Sequence, residues 1–335
     1  MTWAYYRSGL RDECAGYYCG RMPVAFVEPV NASRTQTSLA YAAVKPNFTQ
    51  CGACSWGYRV NLANRLCTQC TSTPSAYHWM YLVFMALVPW LLHAFFIQLN
   101  AYQKALKMKI TLAQHVLCAF ECVGSFVIAL LAVSPRGSLM FYTCGVETLR
   151  DWYTIFYNPS INYTHTLHCT QEAVYPLFTL PLIFCSLSLA TLLFLRYPVL
   201  HFGCRASRYQ IADPIYAALF FYPIFAAVHV VFGGVVYYVF PYLLLLVGII
   251  TNALYLAIQQ NEMCFIDTVK HLFKSPAHIS VILLHLAVFA FALSAISQFE
   301  HPIVDGLSMI WIVVPTVFYV LTVNVSDPHR LSMLY

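Results

Sequence analysis

"IYAALFFYPIFAAVHVVFGGVVYYVFPYLLLLVGIITNALYLAI", residues 215–258, runs for 44 residues without one charged side chain. About 20 apolar residues span a bilayer core, so the stretch is too long for one crossing and about right for two. Gly233-Gly234 and Pro241 are the turn formers within it. They predict two spans, 215–234 and 237–258, joined as a hairpin. Other apolar runs predict spans at about 77–99, 112–133, 174–195, 277–297 and 306–323. Pro89, Pro181, Pro223 and Pro315 fall inside these runs; lipid-buried helices tolerate proline where neighbours satisfy the freed carbonyls.

Composition agrees. The 335 residues are 60% hydrophobic and 9% charged, with a mean hydropathy of +0.65. A soluble domain carries about 25% charged residues, and so few cannot build a water-facing surface. The expected fold class is an all-α polytopic membrane protein with about seven transmembrane helices. The net charge of +5 is not gathered into a basic stripe. Membrane lipid is therefore the expected partner and nucleic acid is not.

Lysine and arginine in short loops set orientation. Lys104, Lys107, Lys109, Arg196, Arg205, Arg208, Lys270, Lys274 and Arg330 lie on one set of loops and the tail; only Arg136 and Arg150 lie on the other. The bias predicts a cytosolic C-terminus with tail 324–335, and a lumenal or extracellular N-terminal segment 1–76, an N-out/C-in arrangement. The start, "MTWAYYRSGLRDEC", has no continuous apolar core and does not read as a signal peptide. The first span is then expected to carry the N-terminus across. Glycosylation acceptor triplets at Asn31, Asn47 and Asn162 fall on the same predicted lumenal side.

Cysteine is concentrated near the start. Cys14, Cys19, Cys51, Cys54, Cys67 and Cys70 all precede the first span. "CGACSWGYRVNLANRLCTQC", residues 51–70, holds two C-x2-C pairs whose spacing suits a zinc ribbon. In an oxidising compartment the same residues read as disulfides. Six cysteines allow 15 pairings, and spacing does not choose among them. Lumenal placement favours disulfides, with Cys51, Cys54, Cys67 and Cys70 as alternative zinc ligands. Cys144 and Cys169, in the loop between the second and third spans, are candidates to pair with each other. That loop, residues 134–173, is rich in aromatic side chains (Phe141, Tyr142, Trp152, Tyr153, Phe156, Tyr157). It suits either packing over the bundle or contact with lipid headgroups.

The chain lacks H-E-x-x-H, G-x-S-x-G and a Walker A loop, which removes the commonest metalloprotease, serine hydrolase and nucleotide-driven classes. No enzyme activity, cofactor or catalytic residue is expected. Glu121 in the second span is the ionisable group that stands out, beside His115, Cys118 and Cys122 at helical spacing. A carboxylate at membrane depth is costly and marks a functional site or a clasp between helices. His93, His229 and His285 are its candidate partners. Two cytosolic stretches suggest kinase contacts. "KALKMKITL" joins Lys104, Lys107 and Lys109 to Ile110 and Leu112 in the general form of a docking peptide, and Ser275-Pro276 is a minimal proline-directed phosphosite.

Several stretches resemble one family when read together: "CAGYYCGR", "CGACSWGYRVNLANRLCTQCT", "DWYTIFYNPS" and "HCTQEAVYPL". The chain resembles the c-Jun N-terminal kinase-associated membrane protein family from about Cys14 to Arg330. The resemblance implies a seven-span endoplasmic reticulum protein in the disposal of misfolded proteins. Its partners would be ubiquitin ligases, proteasomes and c-Jun N-terminal kinase, whose activity it would prolong. The spacer between Cys19 and Cys51 is longer than the family's usual one. Competing classes are a seven-span surface receptor and a transporter with Glu121 in its path. The receptor class is weakened by the lack of a D-R-Y-like triplet after span three and of N-P-x-x-Y in span seven.

Overall fold

The computed structural model describes residues 14–23, 48–159, 167–259, 270, 274, 276–298 and 302–326. Asn31, Asn47, Asn162, Ser275 and the tail beyond 326 lie outside the described residues.

Six helices among the described residues are long and apolar enough to cross a membrane. Helix α1 (Ala76–Gln103) starts after Pro74, where Ser75 and His78 close a reciprocal cap. The Ser75 Oγ accepts from the His78 N–H at 3.4 Å, and His78 Nδ1 accepts from the Ser75 N–H at 3.1 Å. Histidine fills the place that glutamate takes in a capping box. Helix α2 covers Met108–Ala132. Helix α3 (Thr179–Thr191) widens into two π-helical turns, Leu192–Arg196 and Val199–Gly203. Pro198 lies between those turns and lacks the N–H that an α-helical ladder needs. Helix α5 covers Pro276–Ser297. The last apolar segment is broken into α6 (Pro302–Ser308), a 3-10 turn (Met309–Ile312) and α7 (Val314–Ser326).

Helix α4 corrects the hairpin expected over 215–258. It runs unbroken for 52 residues, Arg208–Gln259, which at ~1.5 Å per residue exceeds twice the ~30 Å hydrocarbon core. Gly233 and Gly234 make no turn. A Cβ on Gly234 would stand 2.7 Å from Trp152 Cβ and 2.9 Å from Tyr153 Cε2. The glycine is there because the connecting loop presses its tryptophan against the helix backbone.

The described residues form two units. One holds those up to Pro74 with Met85–Gly234, and the other holds Ser75–Phe84 with those from Val235 onward. In the first unit α2 packs along α3, and Ile110, Leu200, Ala206 and Ile211 form a buried cluster near one end. Lys104 bridges to Asp213 at 2.9 Å and lies 4.1 Å from the Tyr209 ring centre. In the second unit Tyr77 and Tyr81 meet Tyr237 and Phe240 ring to ring, Phe84 meets Phe240, and Asn252 donates to Thr316 Oγ1 at 3.0 Å.

The cysteine-rich head belongs to the first unit. It is built on a short antiparallel pair, β1 (Tyr58–Val60) and β2 (Cys67–Gln69), and four disulfides: Cys14–Cys51, Cys19–Cys169, Cys54–Cys67 and Cys70–Cys144. Cys144 and Cys169 therefore do not pair with each other; each reaches back to the N-terminal segment. The four candidate zinc ligands are divided among three different bridges, so their sulfurs do not converge on one point. Gly20 sits where a Cβ would lie 2.9 Å from Cys67 Sγ and 3.1 Å from Cys54 Sγ.

Replacing Gly234 by valine should lower stability by about 1–3 kcal/mol, the usual cost of overpacking, read as thermal unfolding of the purified protein in detergent. Gly124→Ala, at a site open to its surroundings, should leave it unchanged. Equal tolerance at both positions would restore the turn assignment.

Candidate functional site

Two polar constellations stand out, one in the head and one inside the membrane unit.

In the head, the segment Thr148–Asp151 closes a capping box at the start of a 3-10 turn (Leu149–Trp152). Asp151 is buried, and its Oδ2 accepts from the N–H groups of Glu147 and Thr148, both at 2.9 Å. Its Oδ1 accepts from Tyr18 Oη at 2.9 Å and from Arg59 Nη2 at 3.1 Å. Glu147 completes the group, 3.1 Å from the same nitrogen. Burial, with the Asp151 carboxylate beside it, holds the Tyr18 phenol well above its ordinary value. The negative charge of Asp151 thus has a cation, a hydroxyl and two amides to hold it, and three separate chain segments are joined there.

Glu172 makes a second knot at the approach to α3. One oxygen accepts from the N–H groups of Phe178 and Thr179 at 3.1 and 2.9 Å, and the other from Trp56 Nε1 and Thr179 Oγ1, both at 2.6 Å. Burial raises this carboxyl above its usual range, against the pull of those donors. Gln171 Oε1 accepts from the Cys54 N–H next to it. Among the aromatic loop residues, Phe141 and Trp152 are buried while Phe156 is exposed. Tyr157 is exposed too, so the loop's aromatic residues are divided between packing and surface.

Within the membrane unit Glu121, in α2, is paired with Arg196, in the first π-helical turn after α3. Arg196 Nε donates to Oε1 at 2.9 Å, and Nη2 donates to Oε2. The fork-to-fork geometry is the strong form of this pair. Arg196 and Glu121 are 1% and 3% exposed. Arg196 Nη1 also lies 3.3 Å from His93 Nδ1 on α1. Since guanidinium only donates, Nδ1 accepts and the proton sits on Nε2. Cys118 and Cys122 are buried beside the pair, Cys122 Sγ 3.9 Å from Tyr222 Oη of α4, while His115 is half-buried.

The expected histidine partners need correcting accordingly. His93 touches the arginine and not the carboxylate. His229 donates to the Phe178 carbonyl at 2.8 Å, and His285 contacts its own helix at the Val281 carbonyl. The carboxylate's partner is Arg196, which in sequence reads as a loop cation. The apolar run "LLFLRYPVLHF" continues past it on both sides, and that continuity was the available signal.

Two residues of the expected docking peptide are engaged within the fold. Ile110 is buried in the cluster with Leu200 and Ile211, and Lys104 is engaged by Asp213 and Tyr209. Leu112 is exposed, but the peptide has neither its isoleucine nor its first lysine available.

Comparison with known proteins follows the same outline. The family model for "JNK1/MAPK8-associated membrane protein" matches residues 14–328. The chain belongs to this family. It is 34% identical over 324 residues to the human JNK1/MAPK8-associated membrane protein and 33% identical over 324 residues to the mouse protein, covering 96% of each chain in both cases. The Caenorhabditis elegans homolog is 33% identical over 329 residues, covering 96% of this chain and 95% of its own. No solved structure matches. The membership makes this a multi-span membrane protein of the JNK1-associated family.

Replacing Glu121 by glutamine leaves a buried guanidinium without its anion. The expected loss is about 3–5 kcal/mol, whereas Glu121→Leu with Arg196→Met together should recover most of it. Unfolding midpoints of the single and double variants in detergent give the answer; additive losses would mean that the two side chains act independently.

Proposed function

We propose that the protein is an endoplasmic reticulum membrane adaptor for the disposal of misfolded proteins. It holds ubiquitin ligase and proteasome beside the membrane and prolongs c-Jun N-terminal kinase activity. The observation that carries the reading is the whole-chain membership of a family whose members are named for association with that kinase. Two features support it. Disulfides persist in oxidising compartments, and all eight bridged cysteines belong to the head and the loop after α2. Cys204, exposed and unbridged, follows the opposite end of the α3 span, where the basic loops cluster. With the buried Arg196 removed, the loops that precede α4 still carry five cations on that side (Lys104, Lys107, Lys109, Arg205 and Arg208) against two, Arg136 and Arg150, in the loop between them.

In this reading the membrane unit is a scaffold. Glu121 is neutralised by Arg196, which suits a clasp between helices better than a transport path. The mechanism is local concentration: ligase and proteasome held at the membrane meet an extracted substrate before it diffuses away. With Ile110 packed and Lys104 paired, the kinase contact falls to other cytosolic segments, chiefly the tail 324–335.

The reading needs that tail in the cytosol, an odd number of crossings from a lumenal N-terminus, so it requires the 52 residues of α4, one continuous helix, to supply two crossings in the bilayer. A C-terminal epitope should therefore be accessible in cells whose plasma membrane alone is permeabilised. Endoglycosidase H should strip the protein's N-glycans completely, and the tagged protein should capture c-Jun N-terminal kinase. A protected epitope or endoglycosidase-resistant glycans would contradict the adaptor and favour a surface protein.

A further inference from the structure

The head contains a pocket of about 370 Å³, within the ~300–1,000 Å³ typical of small-molecule sites. It is bordered by both arms of the hairpin, by Tyr17 and Tyr18, and by the segment around Cys144. The Cys70–Cys144 bridge ties one arm to that segment, and Cys54–Cys67 ties the hairpin to the chain before it. The walls are thereby held in place before any ligand arrives, which lowers the ordering cost of binding.

The chemistry of the lining narrows the ligand. Arg59 is the cation, and it is already occupied: Glu147 and Asp151 lie 3.1 Å away, and the carbonyls of Cys144 and Gly145 lie 3.5 and 3.4 Å away. A phosphate or carboxylate would have to compete with two anions for it. An apolar ligand finds only Leu62 and Ala63 at the hairpin tip, since Val60 is buried and the rest of the hairpin presents Asn61, Thr68, Gln69 and Thr71, all exposed. An extended peptide would seek free backbone at a strand edge. The residues flanking β2 are already bridged, Leu66 by Arg21 and Ser72 by Thr143.

What remains is an uncharged molecule rich in hydroxyl groups. Amides and hydroxyls serve both as donors and as acceptors, and the Tyr17 ring, braced by Arg150 4.6 Å from its centre, offers an aromatic edge with a polar tip. We infer that the head pocket binds a neutral carbohydrate, the glycan of a glycoprotein. The inference needs only that the head face the side where glycans are found, and it stands or falls separately from the adaptor reading.

The test uses the full chain in lipid nanodiscs and three fluorescent probes: a mannose-rich N-glycan oligosaccharide, a heparin fragment and a reduced, unfolded polypeptide. Saturable binding of the first alone is expected, about tenfold weaker in Gln69→Ala/Thr71→Ala, the loss of one or two hydrogen bonds. Both residues are exposed, so the variant keeps its fold and its disulfides. Absence of saturable glycan binding, indifference to the paired substitution, or preference for heparin or polypeptide overturns the inference. Enzymatic removal of the protein's own N-glycans separates the two sources. Tighter binding afterwards identifies a self-glycan as the occupant, and unchanged binding assigns the pocket to another glycoprotein.

Discussion

Two covalent bonds, Cys19–Cys169 and Cys70–Cys144, tie the segment before the first helix to the loop between the second and third. The rest of the first unit depends on that constraint. Each bridge spans a long stretch of chain, 150 and 74 residues, so neither joins neighbours by default. They bring Tyr18 and Arg59 to the buried Asp151, and Trp56 to the half-buried Glu172, where each carboxylate finds the donors it needs. A buried carboxylate without such partners is costly. The head is therefore more than a knotted extension: it is continuous with the segment that caps α3.

The membrane half answers the same problem without covalent bonds. Glu121 and Arg196 come from different helices and neutralise each other, with His93 on a third helix completing the arginine's shell. Such a pair contributes little net stability relative to apolar packing, but losing one partner is severe. It joins side chains of three different helices at one height. Gly234 does related work by steric means, accepting Trp152 of the connecting loop against bare backbone.

Much of this was legible in the sequence, because hydropathy and charge are summed along the chain. The membrane character, the runs that became α1, α2, α3 and α5 and the oxidised reading of the N-terminal cysteines all follow from local composition. The failures share a cause. Pairing of Cys144 and Cys169 was expected from nearness in sequence, while the bridges are set by nearness in space. Gly233-Gly234 signals either a turn or a close approach, and only the position of Trp152 distinguishes them. Arg196 reads as a loop cation because a charge usually ends a span. Its carboxylate partner lies 75 residues away, outside any window in which periodicity operates. The same blindness covered Asp151, an ordinary acidic residue in sequence and the centre of the head's network in the fold.

The central claim is that the N-terminal segment and the loop between α2 and α3 form one oxidised body. It is tested most directly by mass spectrometry of the alkylated, unreduced protein after proteolysis. The account predicts linked peptides joining Cys70 to Cys144 and Cys19 to Cys169, with Cys118, Cys122, Cys185 and Cys204 recovered as alkylated thiols. A Cys144–Cys169 link, or free thiols at Cys51, Cys54, Cys67 and Cys70 in a zinc-containing protein, would contradict it.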